Sequence, residues 1–353
     1  MRPTLRRLTY SALVVLAVPV LGAAPGSVRT VSWTIRTMGT YGRIGIVAAD
    51  SSALADEAEA GLSAFRRIDS LMTNWTTTSE VARINREAAA GPVTVHPEVA
   101  TVLEASLAIW RESAGAFDIT VEPLVRAWGF IGGPRRVPSA PEIATALARV
   151  GADQVQFDRS QRTLRFGREG MRIDLGGIAK GYAVDVVAES LRAHGVTDAL
   201  VDLSGNMVAL GAPPGAPGWR IGVRDPRDRV PWLGRITLSG EAISTSGQYE
   251  QFVAADGRTY GHILDPHTGR PCEGLISVTV VGPTAMTCDG WDTPLFVLGP
   301  VEARRKARAL DRIAAILVQP GTSGVDTLWV ETSLRERFVL EPNARPFIHL
   351  RYF

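Results

Sequence analysis

GEAISTSGQYEQFVAADGRTYGHILDPHTGRP, residues 240–271, is the stretch around which the rest of the chain can be placed. Two runs of turn-forming residues, Thr245-Ser246-Gly247 and Asp265-Pro266-His267-Thr268-Gly269, bracket two short apolar runs, Glu250 to Ala254 and Thr259 to Leu264. Asp256-Gly257 lies between them, and Asp-Gly flanked by strand-forming residues is a strong hairpin signal. Asp-Pro followed by Thr-Gly then predicts an ordered loop. His262 and Asp265 fall where the second strand meets that loop, a common position for binding and catalytic groups. A lone histidine in such a place can equally be structural, so this stretch alone leaves both readings open.

Working outward, alternating and helical periodicities divide the chain. Residues 31–35 and 41–47 read as strands joined through Thr37-Met38-Gly39-Thr40, and 52–72 as a helix with Leu54, Ala58, Leu62, Phe65, Ile68 and Leu71 on one face. Ser79-Glu80 starts a short helix that turns Val81 and Ile84 inward, and 97–113 is a helix with Pro97 in its first turn. Ser139 and Glu142 match a capping box for a helix to Val150, and 154–166 alternates as a hairpin. Asp174 to Asp185 runs into a helix that stops at Gly195; 199–203 is a strand followed by the turn Ser204-Gly205-Asn206. Strand 276–281, helix 285–298, a last helix from Pro300, strand 313–318 and a terminal hairpin over 328–340 complete the pattern. Strands and helices in this order, without a linker or repeat, predict an α+β fold, with mixed, largely antiparallel sheets flanked by helices in a single catalytic domain over 30–320 and a hairpin extension over 321–353.

Composition is that of an ordinary globular protein of 353 residues, 45% hydrophobic and 21% charged. Residues 1–24 carry Arg2, Arg6 and Arg7, then an apolar run from Tyr10 to Leu21, then Gly22, Ala23 and Ala24. That order predicts a signal peptide cleaved near Ala24 and an exported, periplasmic or extracytoplasmic protein. The apolar run is shorter than the ~20 residues of a membrane span. No cysteine follows it, so no lipid anchor is expected. These 24 residues hold three of the 38 basic residues and none of the 36 acidic ones, so the remainder is close to neutral and shows no nucleic-acid footprint. An oxidising compartment would permit a disulfide between the only two cysteines, Cys272 and Cys288; two buried free thiols are the alternative.

Among the basic residues only Lys180 and Lys306 are lysines. Lys306 lies in an arginine-rich helix and needs no special reason. Lys180 follows a Gly-Gly turn that opens a helix, where backbone N–H groups can meet an anion. The spacing fits neither a Walker loop nor a dinucleotide fingerprint, so it predicts an anion site and no more. On a helix Asp289 and Thr293 share a face, with Asp292 one step off. Carboxylate and hydroxyl oxygens suit Mg²⁺, although a helix cap is a commoner use for such an aspartate.

Seven stretches together carry a resemblance: MGT (38–40), NWTTTSEVARIN (74–85), AGAFDITVEPLVRAWGF (114–130), DLGGIAKGYAVD (174–185), TSGQYE (245–250), YGHILDPHTGRP (260–271) and TAMTCDGWDTPLFVLG (284–299). In content and order they resemble the ApbE family of FAD:protein FMN transferases across 37–299. The resemblance implies Mg²⁺-dependent transfer of FMN from FAD to a threonine or serine hydroxyl of an acceptor protein, with release of AMP. It implies that Met38, Trp75, Ala116, Phe117, Asp118, Asp174, Lys180, His262 and Ile263 contact FAD. It further implies that the Gly177 carbonyl, Asp289, Asp292 and Thr293 hold Mg²⁺, and that His262 is the base. An Mg²⁺-dependent FAD pyrophosphatase and a non-catalytic exported flavin-binding protein are the alternatives. Three departures stand out: Trp75 replaces the usual tyrosine, Ser204-Gly205-Asn206 replaces Gly-Gly-Asp, and neither cysteine is a family feature.

Overall fold

The computed structural model describes residues 29–48, 54–255, 257–321 and 323–353. The segment read as an export signal, the first residues expected of the helix from Ser52, and Asp256 at the hairpin tip lie outside them.

Strands β1 (Arg29–Thr37) and β2 (Thr40–Ala48) pair antiparallel through a two-residue turn. Met38 and Gly39 both have positive φ there, 47° and 74°, the left-handed backbone that matches the twist of a tight hairpin. Helix α1 (Ala55–Met72) follows, with Ala58, Leu62, Phe65 and Ile68 buried as their spacing predicts. The Ser79 hydroxyl accepts the Ala82 N–H at 3.0 Å and starts α2 (Glu80–Glu87). After β3 (Val93–Thr94) and α3 (Pro97–Glu112), a 3₁₀ turn leads into α4 (Glu122–Ala127). Ser139 and Glu142 form the expected capping box on α5 (Ala140–Leu147), which ends one turn before Val150. The small strands β4 (Val155–Asp158) and β5 (Thr163–Phe166) make the predicted hairpin.

Helix α6 (Ala179–Ala193) leads to β6 (Ala199–Leu203) and β7 (Asn206–Leu210), then to β8 (Trp219–Arg224), β9 (Trp232–Leu238) and β10 (Glu241–Gly247). The hairpin β11 (Phe252–Ala255) and β12 (Arg258–Gly261), strand β13 (Ser277–Gly282) and helix α7 (Ala285–Ala307) follow. The chain ends with β14 (Ala314–Gln319), β15 (Asp326–Val330), β16 (Phe338–Leu340) and β17 (Ile348–Tyr352). Gly299, at φ 72°, interrupts α7 where the sequence predicts a new helix from Pro300.

The main sheet has nine strands in the order β1-β2-β6-β7-β10-β13-β14-β15-β17, antiparallel except for β15 with β17. Its central strands are buried on both faces. On β6 and β7 the residues Ala199, Val201, Leu203, Val208 and Leu210 face a core beneath α1, α6 and α7, while Leu200, Met207 and Ala209 face a second core. Period-two alternation of side chains produces this division. The second core is closed by a three-stranded sheet, β16-β9-β8. The α+β arrangement of largely antiparallel sheets flanked by helices is the one expected. Among the described residues no helix is long and apolar enough to cross a membrane.

Three local expectations need correction. Thr245-Ser246-Gly247 is no turn: it ends β10, in register with Thr279, Val278 and Ser277 of β13. The 252–261 hairpin stops at Gly261, short of Leu264, which makes an isolated bridge to Pro271. Residues 328–340 do not pair with each other. Strand β15 adds to the main sheet between β14 and β17, whereas β16 crosses to β9. Both strand segments are apolar enough to look like hairpin partners, but they reach one core, which holds Leu328, Val330 and Phe338, from two different sheets.

Asp202, near the end of β6, is buried with the Gly205 N–H donating to it at 2.9 Å. Burial raises its pKa from 3.8 to about 6, with Arg43 opposing. A carboxyl that binds its proton more tightly when folded contributes stability in full below pH ~3.8, and that contribution is lost as pH rises through about 6. Asp202→Asn is therefore expected to stabilise the fold at pH 8 by ~1–2 kcal/mol and to change little at pH 4. Urea unfolding at the two pH values checks this.

Candidate active site

One glycine lets α6 and α7 meet closely enough to build the centre of the site. A Cβ on Gly181 would stand 2.2 Å from the Ala285 carbonyl oxygen and 2.7 Å from the Asp289 Cβ, so only glycine permits this crossing. Asp185, one turn further along α6, accepts the N–H groups of Ala285 and Met286 at 2.8 Å each and caps α7 from outside. The Asp289 carboxylate reaches back to α6. It accepts the Gly181 N–H at 2.9 Å and faces the Lys180 Nζ at 3.4 Å, while the same ammonium donates to the Gly176 carbonyl at 2.9 Å.

Asp292 is supported from the sheet. Ser244 and Ser246 lie two apart on β10 and therefore share a face; their hydroxyls sit 2.6 and 2.8 Å from the two Asp292 carboxylate oxygens. The Ser244 hydroxyl is also 2.7 Å from Asn206, and Ser246 is 3.2 Å from the Thr293 hydroxyl. A Cβ on Gly177 would lie 3.7 Å from that Thr293 hydroxyl and 3.2 Å from the Phe117 ring, so Gly177, Phe117 and Thr293 are neighbours. The structure thus brings Gly177, Lys180, Asp289, Asp292, Thr293 and Phe117 together from three segments.

The electrostatics of this centre follow from the burial of its charges. Asp292 is pushed well above the ordinary carboxylate range by burial and by its neighbour Asp289. Burial pulls Lys180 down, but the carboxylates of Asp289, Glu250 and Asp292 outweigh it and hold Lys180 above its ordinary value. Two buried carboxyl groups beside hydroxyl oxygens are the donor set a hard divalent cation takes. Among the described residues no group of three or more His, Cys, Asp or Glu side chains forms a metal cluster, so hydroxyl or backbone oxygens must complete any such site.

The other predicted residues are arranged around this centre. Trp75 is 61% exposed and its indole nitrogen is 4.0 Å from the Cβ position of Gly39, beside the Met38 turn. Asp69 fixes that turn by accepting the Met38 N–H at 2.8 Å. The neighbouring Asn74 donates to the Ile173 carbonyl at 3.1 Å, tying the Trp75 segment to the loop before Asp174. Asp174 accepts the Gly176 N–H at 2.9 Å, and burial raises its pKa. Ala116 and Ile263 are buried. Asp118 turns its carboxylate to the loop's own donors, Thr120 N–H and hydroxyl at 2.7 and 2.6 Å and Ala152 N–H at 3.0 Å. It also borders a cavity of about 460 Å³ with Trp110, Gly115, Gly151 and His267.

His262 follows β12. Its N–H donates to the Gln251 carbonyl at 3.1 Å, and its Nδ1 lies 3.2 Å from the same oxygen. A carbonyl only accepts, so Nδ1 carries the proton and Nε2 keeps its lone pair. The Phe130 ring stands edge-on at 6.3 Å. Burial lowers the His262 pKa from 6.5 to about 4; the Gln251 carbonyl opposes this, and the charges of Lys180 and Arg135 add to it. The ring is therefore neutral across the physiological range. The loop after it forms as predicted: Asp265 accepts the Gly269 N–H at 2.8 Å through its carbonyl, and Gly269 has φ 67°.

Ser244, Ser246, Asn206 and Glu250 carry no role in the sequence reading. Their signal, hydroxyls at i and i+2 on a strand, is hidden when Thr245-Ser246-Gly247 is read as a turn. Cys272 and Cys288 are buried free thiols, so the disulfide alternative fails. Burial pushes Cys272 up to about 12 and Cys288 well above its usual value. Thiol titration of the unreduced protein is expected to find two groups after unfolding and almost none in the native state at pH 7.5.

The chain is similar to known proteins along most of its length. A sequence model of the ApbE family matches residues 38–317. The chain is 35% identical over 332 residues to the FAD:protein FMN transferase of Klebsiella pneumoniae, covering 91% of this chain and 93% of that one. It is 33% identical to the FAD:protein FMN transferase of Treponema pallidum, covering 74% and 78%. Among solved structures, the flavin transferase ApbE of Vibrio cholerae superposes with a TM-score of 0.76 at 29% identity, covering 91% of this chain and 100% of that one. The ApbE protein of Thermotoga maritima gives a TM-score of 0.76 at 31% identity, covering 90% and 99%. Matched along most of its length in both sequence and fold, the chain belongs to the ApbE family.

Proposed function

We propose that this protein transfers FMN from FAD to a threonine or serine hydroxyl of an acceptor protein and releases AMP. The observation that carries the reading is the joining of Lys180, Asp289, Asp292 and Thr293 beside Phe117, within reach of the Lys180 charge that also acts on His262. FAD contacts are assigned to Met38, Trp75, Ala116, Phe117, Asp118, Asp174, Lys180, His262 and Ile263, with the Trp75 indole offering an exposed ring for stacking. Mg²⁺ is assigned to the Gly177 carbonyl, Asp289, Asp292 and Thr293. When bound it supplies charge neutralisation at the pyrophosphate.

The chain's own groups do the rest. Lys180 holds the pyrophosphate electrostatically. His262 Nε2 accepts the acceptor hydroxyl's proton as its oxygen bonds to the phosphorus of the FMN half, and the bond from that phosphorus to the AMP oxygen breaks. Residues 1–24 support export and cleavage near Ala24, which places the reaction outside the cytoplasm. Incubation with FAD, Mg²⁺ and candidate acceptors, read by intact mass, tests the activity. An acceptor gaining the mass of FMN with one AMP per label is the expected result. AMP and free FMN without label would select an FAD pyrophosphatase, and binding without turnover a flavin carrier. Sequencing the N-terminus of the exported protein tests the placement.

A further inference from the structure

The segment Trp128–Arg136 has no part in the proposal above, yet it grips the His262 loop at several points. It is folded back on itself: Gly129 has φ 74°, a Cβ there would stand 2.0 Å from the Pro134 carbonyl oxygen, and the Arg136 N–H donates to the Trp128 carbonyl at 3.2 Å. The Trp128 indole donates to the Gly269 carbonyl at 2.9 Å, and its ring lies 5.6 Å from that of Tyr260. Phe130 meets the His262 ring edge-on. Finally, the Arg135 guanidinium donates to the Gln251 side-chain oxygen at 3.1 Å, and Gln251 is the residue whose carbonyl receives both His262 N–H and Nδ1.

We infer that Arg135 is a positioning residue for His262, anchoring Gln251 so that its carbonyl holds Nδ1–H and leaves Nε2 facing the incoming hydroxyl. This rests on the reading of His262 as the base. An imidazole with one nitrogen bonded to a fixed acceptor is locked in one tautomer, which is how such bases are oriented. Among the described residues hairpin β11–β12 is a two-stranded sheet joined to no other strand, and the Gln251 side chain is held from outside it. Arg135 provides a hold that no other described side chain makes on the Gln251 amide. The charged groups facing His262 are Arg135 and, from α6, Lys180.

The test compares Arg135→Gln and Arg135→Lys, each alone and combined with His262→Ala, in the full protein. Arg135→Gln is expected to lower the saturated transfer rate about tenfold while FAD affinity stays within about twofold, and to have no further effect when His262 is absent. Removing a positive neighbour also moves the acid limb of the rate profile to higher pH; Arg135→Lys restores the limb. Nitrogen NMR of His262 reads the tautomer directly, and the Nδ1–H form is expected to lose population in Arg135→Gln. An unchanged His262 spectrum, or an equal rate loss with and without His262, overturns the inference. A wild-type rate in His262→Ala overturns the base assignment instead, and the spectrum still decides whether Arg135 holds the ring.

Discussion

His262→Ala is expected to lower FMN transfer at saturating FAD by a factor on the order of 10²–10⁴, the usual share of general-base catalysis. A hydroxyl attacks phosphorus poorly unless its proton is removed during the step, and Nε2 is the one ring nitrogen left free for that purpose. FAD affinity is expected to change far less, because the proposed phosphate contacts are made by Lys180 and by Mg²⁺ at the Asp289–Asp292 centre. The depressed pKa sets the pH dependence. With His262 titrating near 4, the wild-type rate should hold steady from pH 8 down to about 5 and fall as pH drops through about 4. If His262 only supports structure or binding, the variant keeps its saturated rate while the FAD dissociation constant or the melting temperature shifts. Measuring the saturated rate, the dissociation constant and the melting temperature together separates these outcomes.

Asp289→Asn is the second large effect. The amide oxygen can still accept the Gly181 N–H, so α6 and α7 stay joined, but the charge facing Lys180 and the proposed Mg²⁺ is gone. Removing one ligand charge from a hard-cation site weakens it directly. Transfer at limiting Mg²⁺ is expected to fall by about 10²-fold, partly recovered at high Mg²⁺, with the melting temperature nearly unchanged. The competing account gives Asp289 only its structural contacts, to the Gly181 N–H and Lys180. That account predicts lost stability with an unaltered Mg²⁺ dependence, so a titration of rate against Mg²⁺ beside a melting curve distinguishes the two.

The signals that were legible in the sequence are local ones. The Asp-Pro-His-Thr-Gly loop, the Ser79 and Ser139 caps, the turn at Met38-Gly39 and the break at Gly299 all form where residue type alone demands them, because each depends on backbone geometry over a few residues. The α+β class followed from period, and the apolar face of α1 from its spacing.

What only the tertiary structure decided depends on partners far apart in sequence. Ser244 and Ser246 became supports of Asp292 because β13 pairs with residues 242–247 and pulls Thr245-Ser246-Gly247 into a strand, overriding the turn preference of its residues. Strands β15 and β16 went to different sheets because β15 finds its partners in β14 and β17 and β16 in β9, so that the two close one core from either side, which no local pattern encodes. The two thiols stayed apart because they are packed separately, Cys288 beneath the sheet against the Ala242 carbonyl at 3.6 Å and Cys272 in the loop beyond His262. The sequence by itself determined which residue types carry the chemistry and where the chain turns. The tertiary structure decided the charge state of His262, since burial and the nearby charges of Lys180 and Arg135, both distant in sequence, set its pKa.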